Sequence, residues 1–484
     1  MLSRAAEPAG WSHCTERYDA PAARHRTDKR PAVAAITACA IGFLAVAAFE
    51  AGPASTVAKA GWVTLTTAMG AVEPATGVAL YLAGAAVYSP RHFSGWGSFN
   101  ERPDNFAVAG LILAFAFSQM AARRRPRLDA AGVLAGSLLV YALAVSQVLG
   151  QLDRATFAAL LRSLGIPLLL FVILAAGTRR LPDLVVPLGV LVALGVYIAS
   201  VSILEAVGAH SLIRPAWIVD PAVNDWLESG RAGGPQMQPA FNGLALTLTA
   251  VLCVGFAWTG SAWRRALGSV AVVPMIAGIF VCYTRGPWLS ALLAAGALSF
   301  AGGPGVRSRT TVVRLSIVAL LAATIVAAPG RFARERAVDT ETVRFRFNVW
   351  AAGLRMASER PLFGFGFAQF KAEVGSFRDS MDELSDRTRS VPGNVAHNQF
   401  LRVLVELGGV GLLLYGATLW LVMRDGFRGA QLVLGSRGTA LVLALSVAYL
   451  FNGLFITLHE PFQNCLFFGP MGLLAGATRE RAGG

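Results

Sequence analysis

The chain has 484 residues, of which 55% are hydrophobic and only 14% are charged. Soluble domains carry about 25% charged residues, so this composition excludes an ordinary soluble protein and indicates an integral membrane protein. The formal net charge of +14 does not indicate nucleic-acid binding, because the basic residues form short clusters between apolar segments. The cysteines show no spacing typical of a disulfide framework or a metal site (Cys14, Cys39, Cys253, Cys282 and Cys465).

Apolar segments that are long enough to cross about 30 Å of hydrocarbon as helices recur along the chain. A polar, basic beginning precedes the apolar segment 32–49, which we expect to be an uncleaved first span. Segment 53–88 contains Glu73 and Pro74. Because proline removes a backbone donor and a carboxylate resists burial, we expect two short helices that meet near Glu73. Further spans are expected at residues 105–121, 129–149, 156–176, 184–203, 238–259, 267–283, 286–301, 311–328, 400–423, 435–458 and 462–477.

The arginine clusters between these spans test their number. With the spans above, every cluster falls on the same side as the basic N-terminus, as the positive-inside rule requires. The clusters are Arg123–Arg125 with Arg127, Arg179 with Arg180, Arg264 with Arg265, Arg307 with Arg309, and Arg424 with Arg428. The sequence therefore predicts an all-α, polytopic integral membrane protein with about 12–14 transmembrane helices and both termini in the cytoplasm.

This topology divides the chain into four parts. Residues 1–31 are a basic cytoplasmic tail, and residues 32–328 are a transmembrane bundle with a periplasmic loop at 205–235. Residues 329–397 form a large periplasmic loop, and residues 398–484 form the C-terminal transmembrane helices and a short tail. No period of 20–50 residues repeats, which disfavours a transporter built from inverted repeats.

The large periplasmic loop contains an amphipathic segment and a glycine motif. Residues 342–358 place Phe347, Trp350, Leu354 and Ala357 at helical spacing, which predicts a helix packed on the membrane surface or on the bundle. It ends before Pro361. Gly364 and Gly366 follow between aromatic residues and predict a tight buried turn. A phosphate-binding glycine loop is disfavoured, because no strand precedes it.

Four residues at the external face are candidates for chemistry. His397 is expected in the first turn of a helix that enters the membrane, where a histidine can exchange a proton near pH 7. The alternative is a histidine that only bonds a backbone carbonyl. His459, beside Glu460, is a second candidate. Arg285 and Arg231 lie on the face that positive-inside bias does not favour, and two guanidinium groups beside a histidine suit a phosphorylated lipid.

The order of the motifs resembles the O-antigen ligase/polymerase superfamily of bacterial membrane glycosyltransferases. YTRGPWLSALL is followed by an amphipathic NVWAAGLRMASERPLFGFGFAQF and then by AHNQFLRVLVELGGVGLLLY. The family pattern of His-Asn, an apolar residue and then Glu-Leu-Gly is met by His397-Asn398, Phe400-Leu401 and Glu406-Leu407-Gly408. The similarity spans residues 280–421. A weaker match at residues 231–245 reads PAFNG in place of a plain Pro-Asn pair, so Arg231 is assigned less firmly than Arg285 or His397.

The resemblance implies a GT-C-like, inverting transferase in the bacterial inner membrane with its active site on the periplasmic face. It implies transfer of a glycan from undecaprenyl diphosphate to an acceptor hydroxyl, without a metal, nucleotide or other cofactor. Carried onto this chain, His397 activates the acceptor hydroxyl, and Arg285 and Arg231 hold the diphosphate. The acceptor is the lipid A core in a ligase and another lipid-linked glycan in an O-antigen or exopolysaccharide polymerase. A polysaccharide or lipid transporter without covalent chemistry is the alternative from another class. Membrane lipids, and no nucleic acid, are the other expected partners.

Overall fold

The helices are described from a computed structural model, which covers residues 30–49, 53–88, 102–121, 129–177, 181–221, 224, 226–301, 341–377 and 395–477. All regular elements within these ranges are helical. Eight of the described helices are long and apolar enough to cross a membrane. The main helices are α1 (Arg30–Phe49), α2 (Pro53–Val72), α3 (Pro74–Tyr88), α4 (Pro103–Ala121), α5 (Ala130–Val148), α6 (Arg154–Leu160), α7 (Ile166–Ala176), α8 (Val185–Ala206), α9 (Pro239–Trp258), α10 (Ala262–Val281), α11 (Arg285–Ala301), α12 (Glu341–Glu359), α13 (Gln399–Leu434), α14 (Ser436–Gly453) and α15 (Pro461–Ala475).

These elements confirm an all-α, polytopic membrane protein. The count of 12–14 spans remains a prediction, because the segment expected at 311–328 lies outside the described residues. The same holds for nearly all of the tail 1–31 and for three of the arginine clusters. The centre of the bundle is formed by α3 and α15, which are buried over almost their whole length, together with α9.

The break expected in segment 53–88 is confirmed. α2 ends at Val72 and α3 begins at Pro74, so Glu73 lies between them. The Glu73 carboxylate accepts a hydrogen bond from the backbone N–H of Thr76 (2.6 Å). It therefore caps α3, because the first N–H groups of a helix lack partners within the helix.

The span expected at 156–176 is interrupted by a π-helical segment, Leu161–Gly165, between α6 and α7. Pro167 has no N–H, so it cannot bond the carbonyl four residues earlier, at Ser163. The Asn464 side chain at the start of α15 donates to that carbonyl instead (2.8 Å). Pro167 thus accounts for the π segment, and the hydrogen bond from Asn464 holds α15 against this segment.

The helix expected at 400–423 is longer and is bent. α13 runs from Gln399 to Leu434, and only Gly408 has non-helical angles within it (φ 68°, ψ −173°). Arg424 and Arg428 therefore lie inside a helix and not in a loop between spans, which corrects the sequence-based boundary. Backbone hydrogen bonding continues through this polar turn, and Arg424 pairs with Asp425 (2.8 Å). The part after Gly408 has 26 residues and spans about 39 Å at 1.5 Å per residue.

Candidate functional site

His397 lies at the start of α13, two residues before its first helical residue. Asn398 is the N-cap, and its side chain accepts from the N–H groups of Phe400 (2.9 Å) and Leu401 (3.0 Å). The expectation that His397 occupies the first turn is therefore wrong, because His397 lies just outside the helix, one residue before the N-cap. Its φ of 47° is in the left-handed region, which costs a non-glycine residue about 1–2 kcal/mol. The cap behind it and the packing around it hold this conformation.

The amphipathic helix α12 supports the histidine from the other side. The indole Nε1 of Trp350 donates to the carbonyl of Ala396 (3.0 Å), the residue before His397. The ring of Phe345 meets the imidazole edge-on, with centroids 6.1 Å apart. Two aromatic side chains on α12 therefore fix the backbone and the ring plane of His397.

The buried face of α12 matches the one the sequence indicated only in part. Ala357 is buried and Trp350 packs against the same cluster, whereas Phe347 and Leu354 are each 59% exposed. The rest of the cluster against α13 includes Val349, Ala352 and Met356. Both sets have helical spacing, so periodicity alone did not decide between them. The helix does pack on the bundle as expected, and it also presents Phe347 and Leu354 outwards.

The rotation of α12 brings Arg346 into the site. Arg346 is three residues before Val349 and four before Trp350, so it shares their face. Burial, and then the positive charge of Arg285, lower the pKa of Arg346. Sequence reasoning missed this residue. An arginine in register with Val349, Ala352 and Met356 was the signal that could have identified it.

Arg285 and Arg231 are brought together at the turn between α10 and α11. Arg285 is exposed and is the first residue of α11. Arg231 donates through Nη2 to the hydroxyl of Thr284 (2.6 Å) and through Nε to the carbonyl of Cys282 (3.4 Å). Its guanidinium lies 5.1 Å from the ring centroid of Trp226. The structure thus joins two loops that are separated by more than fifty residues in the sequence.

A second histidine lies near His397. The Gln399 side chain accepts from the N–H of Leu458 (2.9 Å) and so ties the loop before α15 to the start of α13. In this loop His459 Nδ1 is 3.0 Å from the Thr457 carbonyl and Nε2 is 3.5 Å from the Glu460 carboxylate. His459 also meets Phe241 of α9 edge-on at 5.2 Å.

The electrostatics link these residues. Burial, and then the charge of Arg346, lower the pKa of His397 from 6.5 to about 4. Burial lowers the pKa of His459 to about 4 as well, with further contributions from Arg402 and His397. Burial raises the pKa of Glu460 to about 8, against the opposing charges of Arg102 and Arg162. Both imidazoles are therefore neutral at pH 7, mainly because of burial, with a smaller contribution from a nearby arginine in each case.

Two glycine-containing segments support this site by packing against each other: residues 361–366, and the part of α13 that contains Gly408 and Gly409. We call residues 361–366 the glycine turn. Gly364 and Gly366 have φ of 69° and 101°, which confirms the expected tight turn. The N–H groups of Phe365 and Gly366 donate to carbonyls at Val405 and Glu406 (3.0 and 2.9 Å), and the Gly409 N–H donates back to the Pro361 carbonyl (2.7 Å). A Cβ on Gly364 would lie 2.5 Å from the Val405 carbonyl oxygen, so only glycine permits this approach.

The Glu406 side chain completes this junction. Its carboxylate accepts from Arg402 Nε at 3.1 Å on both oxygens and from the Phe370 N–H at 3.4 Å. The Arg402 guanidinium lies 5.0 Å from the ring centroid of Phe367. The Glu-Leu-Gly motif is therefore a structural element that joins the glycine turn and Phe370 to α13.

The candidate side chains at this site are arginines and histidines. Among the described residues, no group of three or more His, Cys, Asp or Glu side chains could hold a metal ion. Arginine guanidinium groups are suited to binding an anion, and a neutral imidazole is able to accept a proton.

Comparison with known families agrees with the motifs. Residues 270–416 match the family model described as O-antigen ligase, and no curated protein matches the chain. The matched segment contains the second half of α10, all of α11 and α12, the glycine turn, His397 and the first part of α13. It confirms the O-antigen ligase/polymerase superfamily. The chain is accordingly a multi-pass membrane protein with a segment similar to the O-antigen ligases, and that family implies a ligase or polymerase enzyme with lipid-linked glycan substrates.

Proposed function

We propose that this enzyme transfers a glycan from undecaprenyl diphosphate to a hydroxyl of the lipid A core at the periplasmic face of the bacterial inner membrane. The observation that carries the proposal is the grouping of His397 with Arg346, Arg285 and Arg231. Arg231 donates a hydrogen bond to Thr284, the residue before Arg285. The charge of Arg285 contributes to the lowered pKa of Arg346, and the charge of Arg346 contributes to the lowered pKa of His397. Polymerisation onto a second lipid-linked glycan is the alternative within the same superfamily.

In this mechanism the acceptor hydroxyl gives its proton to the neutral imidazole of His397. The acceptor oxygen forms a bond to the anomeric carbon while the bond from that carbon to the diphosphate oxygen breaks. The electron pair leaves with undecaprenyl diphosphate, and attack from the opposite side inverts the anomeric centre. The arginines stabilise the charge that develops on the leaving group. Neither a metal ion nor a nucleotide takes part, which fits the cationic donor set.

Because the pKa of His397 is low without a ligand, we expect binding of the donor to activate this histidine as a base. Without a ligand, burial and Arg346 favour the neutral ring. A bound diphosphate places negative charge beside Arg346 and offsets its effect, which raises the pKa of the imidazole. His397 becomes a stronger base only when the donor is present, because basicity follows pKa.

The test is transfer of a lipid-linked glycan to an acceptor by purified protein. His397→Ala is expected to lower kcat by about 10²–10⁴-fold, the usual contribution of general base catalysis, and to retain donor binding. His210→Ala, which changes a histidine outside the cluster, is the control. Undiminished transfer by a normally inserted His397→Ala protein would refute the assignment of the base.

The arginines require a different measurement. Arg285→Lys is expected to weaken donor binding although the charge is kept, because ammonium cannot form the two-pronged contact of guanidinium with phosphate oxygens. Arg265→Lys at the opposite end of α10 is the matched control. Equal donor affinity in the wild-type, Arg285→Lys and Arg265→Lys proteins would contradict a diphosphate site at Arg285.

The acceptor is identified in cells that lack the gene. Loss of the glycan ladder on the lipid A core supports a ligase, and accumulation of single lipid-linked repeats supports a polymerase. Polysaccharide that is normal in structure but retained on the wrong side of the membrane would indicate transport.

A further inference from the structure

A lateral groove lies between α1, α3 and α8. Its volume is about 310 Å³, and its lining is almost wholly apolar, with Leu44 and Ala45 from α1, Val87 from α3, and Val190 and Ala193 from α8. Ala45 and Ala193 are exposed, so the groove opens sideways. Both residues belong to helices that can span a membrane, and the opening therefore faces hydrocarbon.

One end of the groove is cationic. Arg214 lines this end together with Leu212 and Ile213. Its Nη1 donates to the carbonyls of Ser211 (2.9 Å) and Ile213 (2.8 Å), which fixes the direction of the guanidinium. Within the described part of the chain, no carboxylate forms an ion pair with Arg214.

The segment that carries Arg214 is folded back along α8. The Tyr197 hydroxyl donates to the carbonyl of Arg214 (3.0 Å), and Ile213 and Ile218 pack on Val201. Tyr197 is nine residues before the end of α8, or about 14 Å at 1.5 Å per residue. Arg214 thus lies beside the body of a spanning helix, where an arginine is costly unless an anion or water accompanies it.

We propose that this groove binds one acyl chain of an anionic phospholipid whose phosphate contacts Arg214. The apolar wall fits a hydrocarbon chain, and the guanidinium offers fork-like hydrogen bonds to phosphate oxygens at the end where a headgroup would lie. Charge complementarity selects an anionic lipid over a neutral one. The site is separate from the His397 cluster and does not depend on the glycan-transfer proposal.

The test is native mass spectrometry of the protein after reconstitution with equal amounts of phosphatidylglycerol and phosphatidylcholine. The wild-type protein is expected to retain one phosphatidylglycerol in preference to phosphatidylcholine. Ala45→Trp and Ala193→Trp, made singly and together, fill the groove and are expected to release that lipid. Val140→Trp, at a 66% exposed site on α5, is the control for an added indole on a lipid-facing helix.

The headgroup contact is tested by Arg214→Gln, which is expected to reduce the preference for phosphatidylglycerol by at least tenfold and still retain a lipid. Arg265→Gln is the charge control. Equal retention of phosphatidylglycerol by wild-type and groove-filled proteins would overturn the proposal. An Arg214→Gln protein that keeps the full preference for phosphatidylglycerol would overturn it as well. So would displacement of phosphatidylglycerol by a polyprenyl phosphate.

Discussion

The buried pair of Arg402 and Glu406 gives a sharp prediction, because it separates a structural role for a family motif from a catalytic one. Glu406→Ala leaves the Arg402 guanidinium buried without its carboxylate. The two side chains are only 10% and 3% exposed, so water cannot replace the lost partner. Breaking a buried pair by removing one member costs about 3–5 kcal/mol. The Phe370 N–H also loses an acceptor.

Stability is measured by chemical denaturation in mixed micelles. Glu406→Ala is expected to lose about 3–5 kcal/mol. The double variant Arg402→Met, Glu406→Leu is expected to recover most of that loss, since an apolar pair of similar volume avoids the cost of burying charge. Glu359→Ala, which removes an exposed carboxylate from the end of α12, is the control and changes stability by less than about 0.5 kcal/mol.

Two results would refute this reasoning. The first is a Glu406→Ala protein as stable as the Glu359→Ala control. The second is a double variant that is no more stable than Glu406→Ala, because buried charge would then not be the cause. A double variant that is stable but inactive would show that Arg402, whose charge also reaches His459, contributes to chemistry as well as to the fold.

Three further outcomes follow from the site. Gly408→Ala is expected to destabilise the protein by more than about 2 kcal/mol in the same denaturation assay, since φ is 68° and the new Cβ would meet a carbonyl of the glycine turn, whereas Gly375→Ala, at an open position, changes little. His397 has a folded pKa of about 4, below 6.5, so stability is lost as pH falls from about 6.5 to 4; His397→Gln should flatten this range, and an unchanged pH profile would contradict it. Trp350→Phe removes the hydrogen bond to Ala396 and is expected to lower kcat with a stability loss of only about 1 kcal/mol, and a change in KM alone would argue against this positioning role.

Local sequence patterns predicted the helices well where the cause was local. The break at Glu73 follows from a proline and a carboxylate in one apolar run, and the glycine turn follows from two glycines between aromatic residues. The extension of α13 to Leu434 was not predicted, because charge marks the membrane boundary and not the end of a helix. The π segment at Leu161–Gly165 requires a proline whose effect is compensated by Asn464, about three hundred residues away in the sequence.

The candidate site shows the same limit. Arg285 was identifiable as a candidate because it lies between two apolar spans, and His397 and Arg231 because they precede apolar spans; two of the three lie in family motifs. Arg346 was missed, because the direction that α12 faces depends on the surface of α13 that receives it. The position of the His459 loop beside His397 depends on a contact from Gln399 that no spacing reveals.

The amino-acid sequence by itself determined the membrane class, the position of most helices and the residues that carry the family resemblance. These properties depend on composition and on interactions within a few residues along the chain. Only the tertiary structure decided which side chains of α12 are fully buried, that Arg346 acts on His397, and why the histidine is neutral. Those properties arise from burial and from charges that are distant in the sequence, and such interactions exist only once the helices have packed together.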